Sequence, residues 1–355
     1  MVVDDRELKF SQAINEAIDT CMAKDPRVYV MGLGVPDPKG VFGSTLGLQQ
    51  KYGTLRVMDM PTSENGMTGV AIGSALVGMR PIMTHQRVDF ALLAIEQMVN
   101  QAAKWHYMFG GQMSVPLVIR MIIGRGWGQG PQHSQSLQAW FSHVPGLKVV
   151  MPATPHDAKG LLIASIEEDN PVIFIEHRWL YNVSGPVPAG WYQVPLGKAK
   201  VVREGSDLTI TATSYMTLEA LRAAETLAEE GIGAEVIDVR TLNPLDETLI
   251  MESVARTGRL LVADTAWKNV GFSAEIVARV AEKAFPYLKS APCRVALPDC
   301  PAPTAPELSR YFYPHAAHVA AAARRMIGLS GDGRMAELAP AVPLDVPDPS
   351  FTGPF

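Results

Sequence analysis

The sequence predicts an α/β protein of two domains, and three observations carry that expectation. Short apolar runs alternate with segments of helical period along residues 1–180, the pattern of a parallel sheet covered by helices. A similar alternation restarts at residue 204 and continues to residue 330. Between them lies a linker over residues 181–203, where VSGPVPAGWYQVPLG supplies proline and glycine and no periodicity.

Taken in order, Ala13, Ile14, Ala17, Ile18 and Cys21 fall on one helical stripe, and residues 28–31 follow as a buried strand. Leu92, Ile95, Met98, Val99 and Ala102 make a second stripe. Gly110-Gly111 ends it, because glycine takes the left-handed conformation that stops a helix. Residues 117–123 read as the next strand. Thr154-Pro155-His156-Asp157 marks a helix start, with threonine as cap and proline where a missing N–H costs nothing. That helix runs to Asn170-Pro171, and residues 172–176 form a strand. In the second domain, strands are predicted at 208–213, 234–238, 260–264 and 294–296, with helices at 218–230, 273–284 and 315–327. Residues 331–355 are a proline-rich tail too aperiodic to be a domain.

Composition narrows the function classes. With 355 residues, 47% hydrophobic and 19% charged, the chain can bury two cores and is too polar for a membrane protein. Its most apolar stretch, residues 69–83, is glycine-rich and broken by Arg80. A net charge of -5, with Lys and Arg scattered, gives no footprint for nucleic acid or an anionic membrane. The three cysteines lack CxxC or Cys/His metal spacing, so neither a disulfide framework nor a zinc site is indicated. MVVDDRELKF has no apolar signal core, and a cytoplasmic location is the expectation.

Several segments occur in one order: Asp59-Met60-Pro61-Thr62-Ser63-Glu64-Asn65-Gly66, Asn100-Gln101-Ala102-Ala103-Lys104 with Gly110-Gly111-Gln112, and Gln132-His133-Ser134-Gln135-Ser136. Pro145-Gly146-Leu147-Lys148-Val149-Val150, Pro195-Leu196-Gly197-Lys198-Ala199 and Asp238-Val239-Arg240-Thr241-Leu242-Asn243-Pro244 complete the set. In this order and spacing, over residues 8–327, the chain resembles the β subunits of thiamine-diphosphate-dependent 2-oxo acid dehydrogenases. The resemblance implies a pyrimidine-binding thiamine domain followed by a transketolase C-terminal-type domain. It also implies decarboxylation of a 2-oxo acid and transfer of the acyl group to a lipoyl arm borne by an acyltransferase. An α-type subunit would complete a heterotetramer and supply the Mg²⁺ and diphosphate site. Gly331-Asp332-Gly333 matches the start of that partner's motif by coincidence, since no helical remainder follows.

By the same resemblance, Glu64 hydrogen-bonds the aminopyrimidine ring nitrogen and starts the proton relay to the thiazolium carbon. Outside the motif, a lone Glu at a helix start would be a solvated residue at the positive end of the dipole. Phe90 matches the aromatic that packs on the pyrimidine ring, a job for a flat apolar face; read alone it is core. His133 matches a histidine that moves a proton or orients the dihydrolipoyl group, and Gly124, Gly126, Gly128 and Gly130 before it suit an active-site loop. Some members hold potassium through backbone carbonyls, at positions matching Leu117, Ser165, Glu168 and Asn170.

The chain departs from the family pattern at two acids, replaced here by Leu33 and Thr84, and around Arg125-Gly126-Trp127. His85, Arg87 and Arg125 stand where the family is acidic or neutral, which raises an expectation that they recognise an anionic group on the substrate. The alternative for Arg87 is a surface pair with Asp89. The function readings are an enzyme subunit, a relative that cleaves acetoin or uses another acceptor, and a non-catalytic structural partner.

Overall fold

The structure is a computed structural model that describes residues 6–125, 129–331 and 338. The Gly126-Trp127-Gly128 run, Asp332-Gly333 and, Leu338 apart, the proline-rich tail lie outside the described residues. Contacts divide the chain into two compact units: residues up to 124 with 140–196, and residues 125–139 with 197 onward.

The first unit contains β1 (Arg6–Lys9), α1 (Phe10–Lys24), β2 (Val28–Met31), α2 (Leu48–Tyr52), β3 (Val57–Met58), α3 (Glu64–Leu76), β4 (Arg80–His85) and α4 (Val88–Ala91). It continues through α5 (Ala103–Met108), β5 (Val118–Ile123), β6 (Lys148–Val150), α7 (Pro155–Glu167), β7 (Val172–His177) and β8 (Ser184–Val187); the short helix α6 (Gln138–Ser142) begins in residues of the second unit and ends in the first. Its strands pair in the order β6-β7-β5-β4-β2-β3, all parallel. Every residue of β5 is buried, including Arg120, whose Nε lies 2.6 Å from Glu176 Oε1. Ser44 Oγ accepts from Arg120 Nη2 at 2.9 Å and the Tyr181 hydroxyl donates to Glu176, so this buried pair gains two further hydrogen bonds, while Arg120 Nη1 is left without a partner among the described residues. On α7, Thr154 Oγ1 accepts from Asp157 N at 3.1 Å, the predicted cap.

Two stretches differ from the sequence expectation. Residues 92–102 are a 3₁₀ turn (Leu92–Ala94) and a π turn (Gln97–Ala102) leading into α5. The extra residue of the π turn rotates the stripe, so Ala94, Met98 and Ala102 are buried while Leu92, Ile95 and Val99 are half-buried. Within residues 181–203, β8 pairs antiparallel with β1, so this proline-rich run carries an edge ribbon.

The second unit holds β9 (Lys200–Arg203), β10 (Leu208–Ala212), α8 (Tyr215–Glu229), β11 (Ala234–Asp238), β12 (Thr241–Asn243), α9 (Glu247–Thr257), β13 (Leu260–Trp267), α10 (Phe272–Lys283), β14 (Cys293–Leu297), α11 (Pro306–Phe312) and α12 (Ala316–Met326). Its sheet runs β14-β13-β10-β11-β9, parallel except for the β9 edge. Leu208, Ile210, Ala220, Leu261 and Val319 share its core. Helices α9 and α11 were not foreseen; the Asp246 cap and Gly258 at φ 79° were the local signals for α9. Among the described residues, no helix is long and apolar enough to cross a membrane.

Candidate active site

In the first unit, the carboxyl ends of neighbouring parallel strands release the segments of interest, and in open α/β sheets ligands bind outside that edge. Gly32-Leu33-Gly34 follow β2, Asp59 to Glu64 follow β3, Gln86 to Phe90 follow β4, and Gly124 follows β5. Asp59 Oδ1 accepts from Gly34 N and Met60 N, each at 2.9 Å. Gln86 Nε2 donates to Leu33 O at 3.0 Å, so the turn bearing Leu33 is held from two sides. Gly34 has φ +71°, and a Cβ there would lie 2.7 Å from Gln86 Nε2. Neither Asp59 nor Gln86 was given a role from sequence; both act on distant backbone, which local patterns do not encode.

Glu64 is the first residue of α3 and is 4% exposed. Among the described residues, its carboxyl oxygens accept no hydrogen bond. One turn on, the buried Thr68 Oγ1 has no partner, and on β4, against which α3 packs, neither do Thr84 Oγ1 and His85 Nε2. Most buried polar atoms in folded proteins are hydrogen-bonded. Such a group, on the strand edge where ligands bind, fits a site whose missing partners come from a polar ligand. Asn65 Oδ1 accepts from Gln97 Nε2 at 2.9 Å, tying the start of α3 to the π turn. Phe90 is half-buried in the short helix α4.

Burial pushes the His85 imidazole down to about 4, so it is neutral at physiological pH and offers an anion no charge. Arg87 is buried, so the alternative that placed it on the surface is corrected, and its Nη1 donates to Gly124 O at 2.7 Å. Burial, helped by Arg87 and Arg178, takes His177 down to about 3. Gly124 has φ +80°, and a Cβ there would sit 2.6 Å from His177 Nε2, so this position needs glycine.

Ser165 lies in the last turn of α7 and Glu168 and Asn170 follow it, while the Leu117 carbonyl accepts from Val172 N at 2.9 Å. Arg80 donates to Ile166 O and Glu168 O, each at 2.8 Å. Each of these carbonyls keeps a second lone pair.

In the second unit, His133 sits half-buried in a 3₁₀ turn, Gln132–Ser134. Beside it opens a cleft of about 450 Å³ lined by Pro131, Gln132, Gln135, Trp267, Asp299 and Cys300. Arg125 is 1% exposed and its Nη2 donates to Thr304 O at 2.6 Å. The described residues contain no group of three or more His, Cys, Asp or Glu able to hold a metal.

The transketolase pyrimidine-binding domain family matches residues 6–184, and the transketolase C-terminal domain family matches residues 197–319. The acetoin:2,6-dichlorophenolindophenol oxidoreductase subunit beta of Cupriavidus necator is 47% identical over 330 residues, covering 90% of this chain and 97% of that one. The pyruvate dehydrogenase E1 component subunit beta-2, mitochondrial, of Oryza sativa subsp. japonica is 43% identical, covering 90% of this chain and 86% of its own. The 2-oxoisovalerate dehydrogenase subunit beta of Bacillus subtilis is 41% identical, covering 90% and 98%. A solved structure titled "Split gene transketolase, inactive beta4 tetramer" shares the fold, with a TM-score of 0.76 at 24% identity over 91% of this chain and 99% of that one. The chain therefore belongs to the β-subunit family of 2-oxo acid dehydrogenase E1 components, built from a transketolase pyrimidine-binding domain followed by a transketolase C-terminal domain.

Proposed function

We propose that this chain is the β half of a thiamine-diphosphate-dependent enzyme that decarboxylates a 2-oxo acid and passes the acyl group to a lipoyl acceptor. The observation that carries this is the buried Glu64 carboxyl, to which no described residue donates, at the carboxyl edge of a parallel sheet. A carboxyl on a side chain only 4% exposed has little access to water, and a pyrimidine ring nitrogen can serve as its hydrogen-bonding partner. When bound, the cofactor supplies a carbon nucleophile and an electron sink. Glu64 holds the proton at the ring nitrogen, Phe90 offers its flat face to the ring, and the buried edge around Thr68 and His85 excludes water.

His133 acts on the acceptor. When the lipoyl S–S bond opens, His133 would give a proton to the sulfur that leaves with the electron pair. An α-type subunit supplies the Mg²⁺ and diphosphate half. The carbonyls of Leu117, Ser165, Glu168 and Asn170 would hold potassium at the negative end of the α7 dipole. Arg87 and Arg125 are anchors on backbone carbonyls before they are substrate contacts.

The identity with the Cupriavidus acetoin oxidoreductase subunit favours a second reading, cleavage of acetoin by the same residues. Purification from the native source with its co-purifying α-type chain, then assay against a panel of 2-oxo acids and acetoin, separates the two. Calorimetry supplies the other arm: tight Mg²⁺-dependent cofactor binding is expected of the complex. The same tight binding by the isolated chain would defeat the shared-site reading.

A further inference from the structure

Asp264 lies in the parallel strand β13, just past its pairing with β10 and where its pairing with β14 becomes irregular, and is 1% exposed. Its Oδ1 accepts from Gln138 Nε2 at 2.8 Å, from Thr213 Oγ1 at 3.2 Å and from Ala266 N at 3.3 Å. Its Oδ2 accepts from Ser273 N, in the first turn of α10, at 3.2 Å. Gln138 is fully buried and also donates to Thr265 Oγ1 at 3.1 Å. Residues 125–139 group with the second unit although the chain before and after them groups with the first. Two polar anchors bound that segment: Arg125 on Thr304 O at one end, Gln138 on Asp264 at the other. His133 lies between them, and its neighbours Gln132 and Gln135 line the cleft.

We propose that Gln138 and Asp264 are positioning residues for His133, fixing the segment that carries it between the cleft-lining Gln132 and Gln135. This rests on the reading of His133 as the group that serves the acyl acceptor. The carboxyl of Asp264 is itself immobile, because backbone N–H groups and a threonine hydroxyl hold both its oxygens. Gln138 is then tethered to a fixed point five residues beyond His133. A buried hydrogen bond to a charged acceptor is worth more than a neutral one, and no water competes for it here. Displacing a reacting group by about 1 Å can cost roughly 10²-fold in rate, so losing the tether is felt at the histidine.

The test uses the assembled enzyme with Gln138→Met, which keeps length and apolar volume and removes the donor. Three readouts are compared with wild type: 2,6-dichlorophenolindophenol reduction with the preferred 2-oxo acid, acylation of free lipoamide, and amide hydrogen exchange of residues 129–137. The expected result is dye reduction within twofold, lipoamide acylation down by about 10-fold or more, and faster exchange in that segment. Gln138→Glu is the conservative variant. It can share a proton with Asp264, so its acylation deficit should narrow as pH falls. Acylation within twofold in Gln138→Met, or an equal fall in both activities, overturns the proposal. His133→Ala distinguishes the two levels: if it leaves lipoamide acylation intact, the reading of His133 has failed, whatever Gln138 does.

Discussion

Two buried carboxyls near the carboxyl edges of the parallel sheets, Glu64 in one unit and Asp264 in the other, are treated in opposite ways. Asp264 accepts hydrogen bonds from Gln138, Thr213, Ala266 and Ser273. Glu64 accepts none from the described residues, and Thr68 Oγ1 and His85 Nε2 nearby in sequence and packing are likewise without partners. Burial alone therefore does not mark a functional acid. A carboxyl saturated by its own chain organises the fold, whereas one left without donors is prepared for something outside the chain, at a cost in stability.

The largest expected effect tests the saturated side. Asp264→Ala leaves buried donors without an acceptor, and unfolding in urea should show a loss of at least about 3 kcal/mol. Loss below about 1 kcal/mol would mean that water replaces the carboxyl and that Asp264 is no organising group. Glu64→Gln tests the other side. It keeps the size of the side chain but cannot supply a carboxyl proton, so kcat should fall by at least about 10²-fold with assembly and thermal stability unchanged. Unchanged exchange of the thiazolium carbon proton into D₂O in Glu64→Gln would remove the central residue of the proposed function.

Acidification sharpens the comparison further, because His85 belongs to the unpartnered set and burial holds its imidazole down to about 4. Its folded value lies below its ordinary value, so between about 6.5 and 4 the unfolded chain binds a proton that the folded chain refuses. Stability from this residue is complete above that window and falls with pH inside it, by about 1.4 kcal/mol per unit. His177, held down to about 3, adds a second slope of the same sign. His85→Asn should remove about one proton from the pH dependence of urea midpoints measured between pH 6.5 and 4.5. An unaltered slope would show that His85 is not buried neutral.

Legibility differed between the two carboxyls for a physical reason. Glu64 was singled out only through the family resemblance, whose motif is consecutive in sequence from Asp59 to Gly66; read alone it is a solvated residue at a helix start, and its burial was not legible. Helix α1, the Thr154 cap and strands β2, β5 and β11 were legible, since burial period and capping are local. Asp264 was not, because its partner Gln138 is 126 positions away and a lone Asp in a strand has many uses. Residues 92–102 failed differently. Their apolar spacing suits an α-helix, and only packing could select the 3₁₀ and π turns that leave Leu92 and Val99 half-buried. The buried state of Arg87 was hidden too, since its acceptor is a backbone carbonyl that any residue could supply.

The smallest effect is the most discriminating, because it concerns an atom with nothing to lose within the chain. Thr68 Oγ1 is fully buried one turn after Glu64 and finds no partner. Thr68→Val keeps the branched shape and deletes the hydroxyl. If the atom is truly without a partner in the free chain, the variant recovers its desolvation penalty, and the isolated chain should be as stable as wild type or up to about 1 kcal/mol more stable. In the assembled enzyme the sign should reverse. A hydroxyl that meets the cofactor, directly or through one water, contributes about 0.5–1.5 kcal/mol, so cofactor Kd should rise by roughly 2- to 10-fold. Opposite signs in the two measurements are the signature of a polar atom kept for a ligand. A loss of stability in the isolated chain would instead show that the hydroxyl is already satisfied there. The contrast between Glu64 and Asp264 would then be one of degree, with both edges completed by the chain and its water.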